Sequence, residues 1–519
     1  LTRLAAARDF RARAYAARVA GHWFDRLDKP LDLLARLAAD DHPRVRVEAI
    51  VSASFVPDAR AIEVAAIAAD RPVDPWVEHA MLRAVDAQKD RWRPAFLKGE
   101  LAFDKKINRL SWVLRCDGSP ETAGAVRQML EGQKVAADDE SGLAVLLANV
   151  GTADDLRFLF DRFGTDPAVL TELATVARSR NLQPTGELAD QVMRLLGHPK
   201  PGVRAAAARA AGAWGVWRAA LALQITAYDK AADVPVRVAA VEALGDVRAA
   251  TAERLAPLMA ADQPAEVRVA AVAALAASDR PAAAAAAAKL LASLEKDEQV
   301  AGLLAGFLSR QGGPEELAKA IGAAGLPPKA AQRALDAMHA RGRGDPPLVD
   351  ALNKAMGVSA DTPPYSEALV QSLVADSAKL GDAARGKALY QQKLTACAAC
   401  HAISGQGGDL GPDLTGIGRG MTPELIVEAV LWPKRQVKEG YLSVSVVTKA
   451  GDDFTGYAES EDAAELRLKD VATGKVQRIP KPQIAKRTNA GTIMPDGLTA
   501  TLKREELLDL LAFLRSLGR

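Results

Sequence analysis

Two of the three cysteines in this chain lie beside a histidine, in the pentapeptide Cys397-Ala-Ala-Cys400-His401. Two thiols and an imidazole at this spacing can carry out redox, metal-binding or cofactor-attachment chemistry. A glycine-rich stretch, 405–414, follows at once and contains the sequence Gly-Pro-Asp-Leu. Glycine allows a backbone to approach a flat ligand closely. The pentapeptide is therefore the first candidate for a functional site.

Three other uses of a Cys-x-x-Cys pair fit the sequence poorly. A zinc site needs three or four protein ligands, but Cys116 is about 280 residues upstream and the nearest other histidine is His339. A thioredoxin-like pair follows a strand in a βαβ unit, whereas a helical pattern precedes this one. A blue-copper site needs two histidines, and this region contains only His401. Cys-x-x-Cys-His is instead the attachment sequence of c-type haem. We therefore predict one covalent haem c, joined to Cys397 and Cys400 with His401 binding the iron.

The first two thirds of the chain repeat one phrase, in which a proline and Val-Arg precede an alanine-rich amphipathic helix. Arg204, Arg237 and Arg268 recur in this phrase 33 and 31 residues apart. Repeats of this length with two helices each are typical of an α-solenoid. The phrase resembles the HEAT repeat family, an armadillo-like helical fold, over residues 1–344. The repeat arginines are expected to bond to neighbouring helix ends rather than to a partner.

Residues beyond 344 follow a different pattern. Glycine, proline and serine interrupt the helices, which predicts a linker at 345–378. Amphipathic helices at Asp382–Leu394 and at the carboxyl end then bracket a region of alternating apolar and polar residues around glycine turns. This alternation predicts a small antiparallel β insertion at 438–488. The predicted fold is thus mainly α: a solenoid followed by a helical domain, 379–519, that carries the insertion.

The helical domain resembles a class I cytochrome c. The features shared are a first helix, Cys-x-x-Cys-His, Gly-Pro-Asp-Leu, a Met-Pro pair and a terminal helix. The resemblance implies that the carbonyl of Pro412 accepts a hydrogen bond from the ring of His401, which fixes and tunes the iron ligand. It also implies that the first helix, through Gly386 and Tyr390, crosses the terminal helix near Phe513.

Two methionines are candidates for the sixth iron ligand. Met421 lies 20 residues after His401, and Met494 lies 93 residues after it. Omitting the strand-rich stretch 441–487 leaves 46 residues before Met494, a span nearer to that of a compact cytochrome. Pro495 follows Met494 and matches the Met-Pro of the resembled family. We therefore predict His401 and Met494 as the metal ligands, with Met421 as the alternative.

The two parts together resemble haem-binding proteins of the Planctomycetes and Verrucomicrobia type. In many of these a propeller resembling soluble sugar dehydrogenases precedes the repeats, so this chain, which begins at Leu1 without a methionine, is expected to be the carboxyl-terminal part of a longer protein. The resemblance implies electron transfer from a dehydrogenase domain or a redox partner protein. The alternatives are a haem-based ligand sensor and a protein-interaction scaffold. The sequence contains no recognisable catalytic site.

Composition limits the partners and the compartment. Lys+Arg 67 against Asp+Glu 65 gives a net charge of +2, without the basic excess of a nucleic-acid-binding protein. No apolar run is long enough for a membrane span. Haem is joined to Cys-x-x-Cys-His outside the bacterial cytoplasm, so a periplasmic or exported protein is expected.

Overall fold

The fold is mainly α-helical, with a small antiparallel β insertion near the carboxyl end, as the sequence predicts. The computed structural model describes residues 1–132, 137–358, 362–391, 397–471, 474, 476–499 and 502–518. Two compact units, Leu1–Trp214 and Gly215–Arg519, divide the chain inside the repeat region. The predicted domain bounds rest on the sequence pattern and stay a prediction. They are 1–344 for the solenoid, 345–378 for the linker and 379–519 for the helical domain.

The first unit is a stack of helices. Its helices are α1 (Thr2–Ala5), α2 (Phe10–His22), α3 (Pro30–Ala38), α4 (Pro43–Phe55), α5 (Ala61–Ala66), α6 (Pro75–Ala87), α7 (Lys89–Leu97), α8 (Ile107–Asp117), α9 (Pro120–Glu131), α10 (Ala137–Val150), α11 (Ala153–Phe163), α12 (Pro167–Arg180), α13 (Ala189–Leu196) and α14 (Pro201–Ala213). The even-numbered helices from α2 to α14 pack in order, each on the next. This row is the repeated stacking expected of a solenoid.

Proline and a capping side chain start the repeat helices. Helix α4 begins at Pro43, and the ring of His42 accepts a hydrogen bond from the main-chain N–H of Arg44 at 3.2 Å. Helix α6 begins at Pro75, and the carboxylate of Asp74 accepts from two N–H groups of the first turn. Proline suits this position because its missing N–H has no partner there. The caps satisfy donors that the helix itself leaves unpaired.

Two arginines of the repeat phrase, Arg46 and Arg237, bond to main-chain carbonyls near helix ends, as expected. The buried guanidinium of Arg46 donates to the carbonyls of Asp40 and Asp41, both at 2.9 Å, and to that of Pro72 at 2.6 Å. Arg237 likewise donates to a carbonyl near the end of the preceding helix, at 2.9 Å. These bonds join consecutive repeats through carbonyl groups that would otherwise be buried without partners.

The second unit is also a stack of helices and includes the carboxyl-terminal helices. Its helices are α15 (Ala220–Tyr228), α16 (Val234–Asp246), α17 (Ala252–Leu255), α18 (Ala265–Leu275), α19 (Arg280–Leu291), α20 (Asp297–Leu308), α21 (Gly313–Ala324), α22 (Pro328–His339), α23 (Pro346–Met356), α24 (Glu367–Leu380), α25 (Ala383–Gln391), α26 (Cys397–Cys400), α27 (Ile417–Gly420), α28 (Pro423–Leu431) and α29 (Arg504–Ser516). Helices α16, α18, α20 and α22 pack in one row, and α19, α21 and α23 in another. The described helices include none that is both long and apolar enough to span a membrane.

The predicted linker, 345–378, contains two helices. Helix α23 packs on α21 and α22, so it extends the solenoid rows, and α24 packs on α28 and α29. The prolines that suggested a break stand at the start of α23, where proline favours a helix. Ser366 caps α24 by accepting a hydrogen bond from the main-chain N–H of Leu369 at 3.2 Å.

The first and last helices of the carboxyl-terminal part cross closely, as the cytochrome resemblance implies. Tyr390 of α25 packs on Phe513 of α29 with 5.6 Å between ring centroids. Gly386 lies at the crossing, where an added Cβ would be 2.8 Å from the Cβ of Phe513 and would overlap the carbonyl of Asp509. The predicted helix Asp382–Leu394 is present as α25, and residues 392–394 lie outside the described part of the chain.

The β insertion is one antiparallel sheet of five strands. The strands of this sheet are β3 (Ser443–Thr448), β4 (Asp453–Glu461), β5 (Glu465–Asp470), β6 (Val476–Pro480) and β7 (Ile484–Gly491), in the order β6-β5-β4-β3-β7, while β1 (Ala402–Ile403) and β2 (Gln406–Gly407) form a separate hairpin. Alternate residues of the sheet form its apolar core, which includes Val444, Val446, Leu466, Leu468 and Ile479. Strand alternation of this kind buries one face.

The sheet also contacts the turn between α20 and α21. The main-chain N–H of Asp453 donates to the carbonyl of Ser309 at 2.9 Å, and that of Gln311 donates to the carbonyl of Gly451 at 3.2 Å. The hairpin turn between β3 and β4 is therefore joined by backbone hydrogen bonds to a turn of the solenoid rows.

Replacing Gly386 with alanine is expected to destabilise the carboxyl-terminal helices by about 1–3 kcal/mol, because the added methyl overpacks the crossing. The measurement is the free energy from denaturant unfolding, followed by amide hydrogen exchange in α25 and α29. Gly420→Ala is the matched control, since a Cβ there meets nothing within 4 Å. Equal stability of the two variants would contradict a close crossing at Gly386.

Candidate functional site

The Cys-x-x-Cys-His pentapeptide forms one helical turn. Cys397 and Cys400 begin and end α26, and the main-chain N–H of His401 donates to the carbonyl of Cys397 at 2.9 Å. Both cysteines are thiols rather than halves of a disulfide, and both are partly buried. The turn therefore brings together the two thiols and the imidazole that the sequence predicted as one site.

The ring of His401 is fixed by a carbonyl. Its Nδ1 lies 2.8 Å from the main-chain oxygen of Pro412, the contact that the cytochrome resemblance implies. Because a carbonyl only accepts, the hydrogen must be on Nδ1 in this bond, and Nε2 of the neutral ring carries the lone pair. Burial lowers the pKa of His401, against a smaller opposing effect of the Pro412 carbonyl. A neutral imidazole with Nε2 available is the form that binds a metal.

The chain before the pentapeptide also holds this histidine. The hydroxyl of Tyr390 donates to the carbonyl of His401 at 2.8 Å. Tyr390 of α25 is buried against α29, and burial raises the pKa of its phenol to about 12. The hydroxyl therefore stays protonated as a donor at neutral pH.

The glycine-rich loop lies against the pentapeptide. The N–H of Gly408 donates to the carbonyl of Ala398 at 3.0 Å, and that of Gly411 donates to the carbonyl of Cys400 at 2.7 Å. A Cβ on Gly411 would lie 2.5 Å from Cε1 of His401, and one on Gly408 would overlap the carbonyl of Ala399. Glycine is needed at both positions because the loop backbone packs directly on the turn and the ring.

The structure places Met494 in a cavity and Met421 in a core. Met494 is half-buried and lines a cavity of about 400 Å³. The described residues lining that cavity do not include His401. Met421 packs against the apolar core that α28 and α29 share, and Thr422 caps α28 at the predicted position. The assignment of Met494 as a metal ligand therefore stays a prediction.

Polar and apolar residues both line the cavity around Met494. Its other lining residues are Gly342, Arg343, Gly344, Asp345, Pro346, Val349, Asp350, Lys434, Ser443, Ser445, Asp453, Thr455, Ala490, Thr492, Ile493, Pro495 and Asp496. They come from the turn between α22 and α23 with the start of α23, from the segment after α28 that contains Lys434, from the sheet, and from the segment after β7. The cavity is thus built by four separate parts of the second unit.

Sequence reasoning missed the turn that follows α22. The carbonyl of His339 lies 3.8 Å from Sγ of Cys400, and the backbone of Gly342 is hydrogen-bonded to the same thiol. His339 is itself buried, and burial lowers the pKa of its ring to about 4. The sequence carried no signal for this contact, because the residues are 61 positions apart and are separated by the three helices α23, α24 and α25.

Burial makes Cys400 a poor nucleophile at neutral pH. Its pKa is raised to about 11, first by burial and then by the neighbouring Cys397. A redox pair of the thioredoxin kind depends on a lowered thiol pKa. The surroundings of Cys400 therefore disfavour a thiol–disulfide function, in agreement with the prediction from sequence.

Two protein families match parts of the chain. Residues 189–276 match HEAT repeats. Residues 381–441 match the family described as Cytochrome C oxidase, cbb3-type, subunit III. The second match contains the pentapeptide, Pro412 and Met421 and ends before Met494. The chain thus carries HEAT repeats and a cytochrome c domain, and a cytochrome c domain implies haem binding.

Comparison with whole proteins adds little. No curated protein matches the chain. One similar solved structure is the crystal structure of Kap121p bound to Pho4p, with 11% identity, 76% of this chain covered and a TM-score of 0.32. The match covers 44% of that protein, so this chain spans less than half of its length.

The described residues fit a haem of the c type. The site supplies the protein groups that such a haem requires. These are a neutral imidazole with a lone pair on Nε2 and two thiols in the same turn. The Nδ1 bond to Pro412 is the kind of outer contact that orients a metal-binding histidine.

Replacing Gly411 with alanine is expected to push the His401 ring away from the Pro412 carbonyl. Because such outer contacts tune the iron, the matured protein should show a changed reduction potential and a lower haem content per chain. Potentiometry and haem absorbance per polypeptide are the measurements. Gly420→Ala serves again as the control, and an unchanged potential in Gly411→Ala would show that the loop does not set the ring.

Proposed function

We propose that the protein is a c-type cytochrome that transfers electrons on a HEAT repeat scaffold. The main supporting observation is the 2.8 Å contact of His401 Nδ1 with the Pro412 carbonyl. Two thiols that are not joined in a disulfide lie in the same turn. The contact leaves Nε2 for iron, and the thiols supply the two attachment points. The match of residues 381–441 to a cytochrome c family supports the same proposal.

Each candidate residue has a separate role in this proposal. Cys397 and Cys400 would hold the haem through two thioether bonds, formed by addition of their S–H groups to its two vinyl groups without net redox change. His401 would bind the iron, Pro412 would orient that ring, and Met494 would be the second protein ligand to the iron. The haem supplies a one-electron couple between ferrous and ferric iron. A sulfur ligand raises the potential of this couple and leaves no open position for catalysis.

The electron donor is proposed from the resemblance stated above. A sugar-dehydrogenase-like domain or partner would reduce the haem, and a second redox protein would accept the electron. The HEAT repeats support this arrangement because solenoids provide extended surfaces for other proteins. A sensor function would instead require an iron position that external ligands reach readily.

Attachment through Cys397 and Cys400 predicts where the protein matures. Expression in the bacterial cytoplasm without haem-maturation machinery should give chains with no covalent haem, and export with that machinery should give one haem per chain. Denaturing gels stained for haem, with mass spectrometry, measure this. Cys116→Ala is the control that should keep the haem, whereas Cys397→Ala should reduce attachment. Full attachment in the cytoplasm would contradict the proposed export.

Met494→Ala is expected to abolish the weak sulfur-to-iron absorption band of the ferric protein. It should also let carbon monoxide bind the ferrous protein, because the sixth position is then open. Met421→Ala is the matched control and should change neither, since Met421 packs in the apolar core. The reverse pattern would identify Met421 as the ligand. Ready binding of carbon monoxide by the unmodified protein would favour the sensor instead.

A further inference from the structure

The turn between α22 and α23, residues 339–345, lies between the two halves of the candidate haem site. On one side, the carbonyl of His339 and the backbone of Gly342 contact the thiol of Cys400. On the other side, Gly342 and Gly344 line the same cavity as Met494. One short turn of the solenoid therefore contacts both the haem-attachment segment and the segment of the proposed sixth ligand.

Two glycines of this turn pack against the residues that flank Met494. A Cβ on Gly344 would lie 2.7 Å from the Cβ of Pro495, and one on Gly342 would lie 3.1 Å from Cδ1 of Ile493. Gly342 also has a φ of +60°, which favours glycine. The backbone of the turn thus supports the chain immediately before and after Met494, at a distance that admits no side chain at Gly344.

Arg343 fixes the turn against the sheet. Its guanidinium is 5% exposed and bonds Asp345 through Nε and Nη2 at 3.1 and 2.8 Å. Its Nη1 donates to Oγ1 of Thr455 in β4 at 3.4 Å. A two-point pair with a carboxylate restricts the guanidinium to one orientation. Helices α22 and α23, which precede and follow the turn, also pack in the solenoid rows. The turn is therefore held by these two helices and by the sheet.

We infer that this turn is a positioning element of the haem site, which holds the Met494 segment at a set place relative to Cys400 and His401. The inference rests on the proposed function, in which Met494 is the sixth ligand. It makes the end of the solenoid part of the cytochrome rather than a separate support. Gly344, Gly342 and Arg343 act through Met494 and do not themselves bind the iron.

The test is Gly344→Ala in the full matured protein. The ratio of methionine-bound to methionine-free iron, measured from the sulfur-to-iron band per haem, should fall by about five-fold, the factor that overpacking of roughly 1 kcal/mol produces. Carbon monoxide should then bind the ferrous form more readily than in the unmodified protein. Covalent haem content and far-ultraviolet circular dichroism should stay at the values of the unmodified protein. Gly322→Ala in α21 is the matched control and should leave the band unchanged, because a Cβ there meets nothing within 4 Å.

A double-mutant cycle with Pro495→Gly separates positioning from general damage. That change removes the ring which the new methyl would meet, so Gly344→Ala should have a smaller effect on the band in the Pro495→Gly protein. If Gly344→Ala does not fold, Arg343→Lys replaces it, since lysine keeps the charge but loses the two-point bond to Asp345. Arg343→Lys should weaken the band in the same way.

The outcomes distinguish this inference from the proposal on which it rests. If Met494→Ala abolishes the band but Gly344→Ala leaves it intact, the inference alone is overturned. Arg343→Lys takes the place of Gly344→Ala in this comparison if Gly344→Ala does not fold. A band that survives Met494→Ala overturns Met494 as the ligand, and the inference with it. If Gly344→Ala weakens the band equally in the Pro495 and Pro495→Gly proteins, the turn does not act through its contact with Pro495. That result also overturns the inference.

Discussion

The position of His401 depends on the close crossing of α25 and α29. Gly386 removes the side chain that would separate the two helices, and the buried carboxylate of Asp509 accepts hydrogen bonds from the N–H of Asp382 at 2.7 Å and from Arg385 at 2.7 and 2.8 Å. The beginning of α25 is therefore fixed to the middle of α29 by packing and by charge-assisted bonds. Tyr390, one turn along α25, then donates to the carbonyl of His401. The crossing thus sets where the histidine lies.

The loop after the histidine completes this arrangement by backbone contacts. Its N–H groups bond the carbonyls of the pentapeptide turn, and the carbonyl of Pro412 bonds the ring, so the loop satisfies polar groups that burial would otherwise leave unpaired. Both contacts require glycine at Gly408 and Gly411, because a side chain would enter the turn or the ring. The same residues therefore give the segment its stability and give His401 the tautomer that suits a metal.

Local sequence patterns predicted the parts of the fold that depend on local physics. The Val-Arg phrase predicted stacked helices, strand alternation predicted the sheet, and Cys397 to His401 stood out by residue type and spacing. Prolines near 346 were interpreted as a break, although they begin α23, since proline disfavours a helix interior and favours a first turn. The contacts of Cys400 with His339 and Gly342 were not predictable, because packing between distant segments has no period in the sequence.

His401 and Met494 are 93 residues apart in the sequence. The sheet between them supports the segment that contains Met494. Tyr457 of β4 donates to the carbonyl of Leu410 at 2.8 Å, next to the loop that holds His401. On its other side the sheet is hydrogen-bonded to the α20–α21 turn, and through Thr455 to Arg343. Met494 follows the last strand by three residues. An ordered sheet with these attachments reduces the conformational freedom of the segment it carries, so a long insertion is compatible with a defined place for Met494.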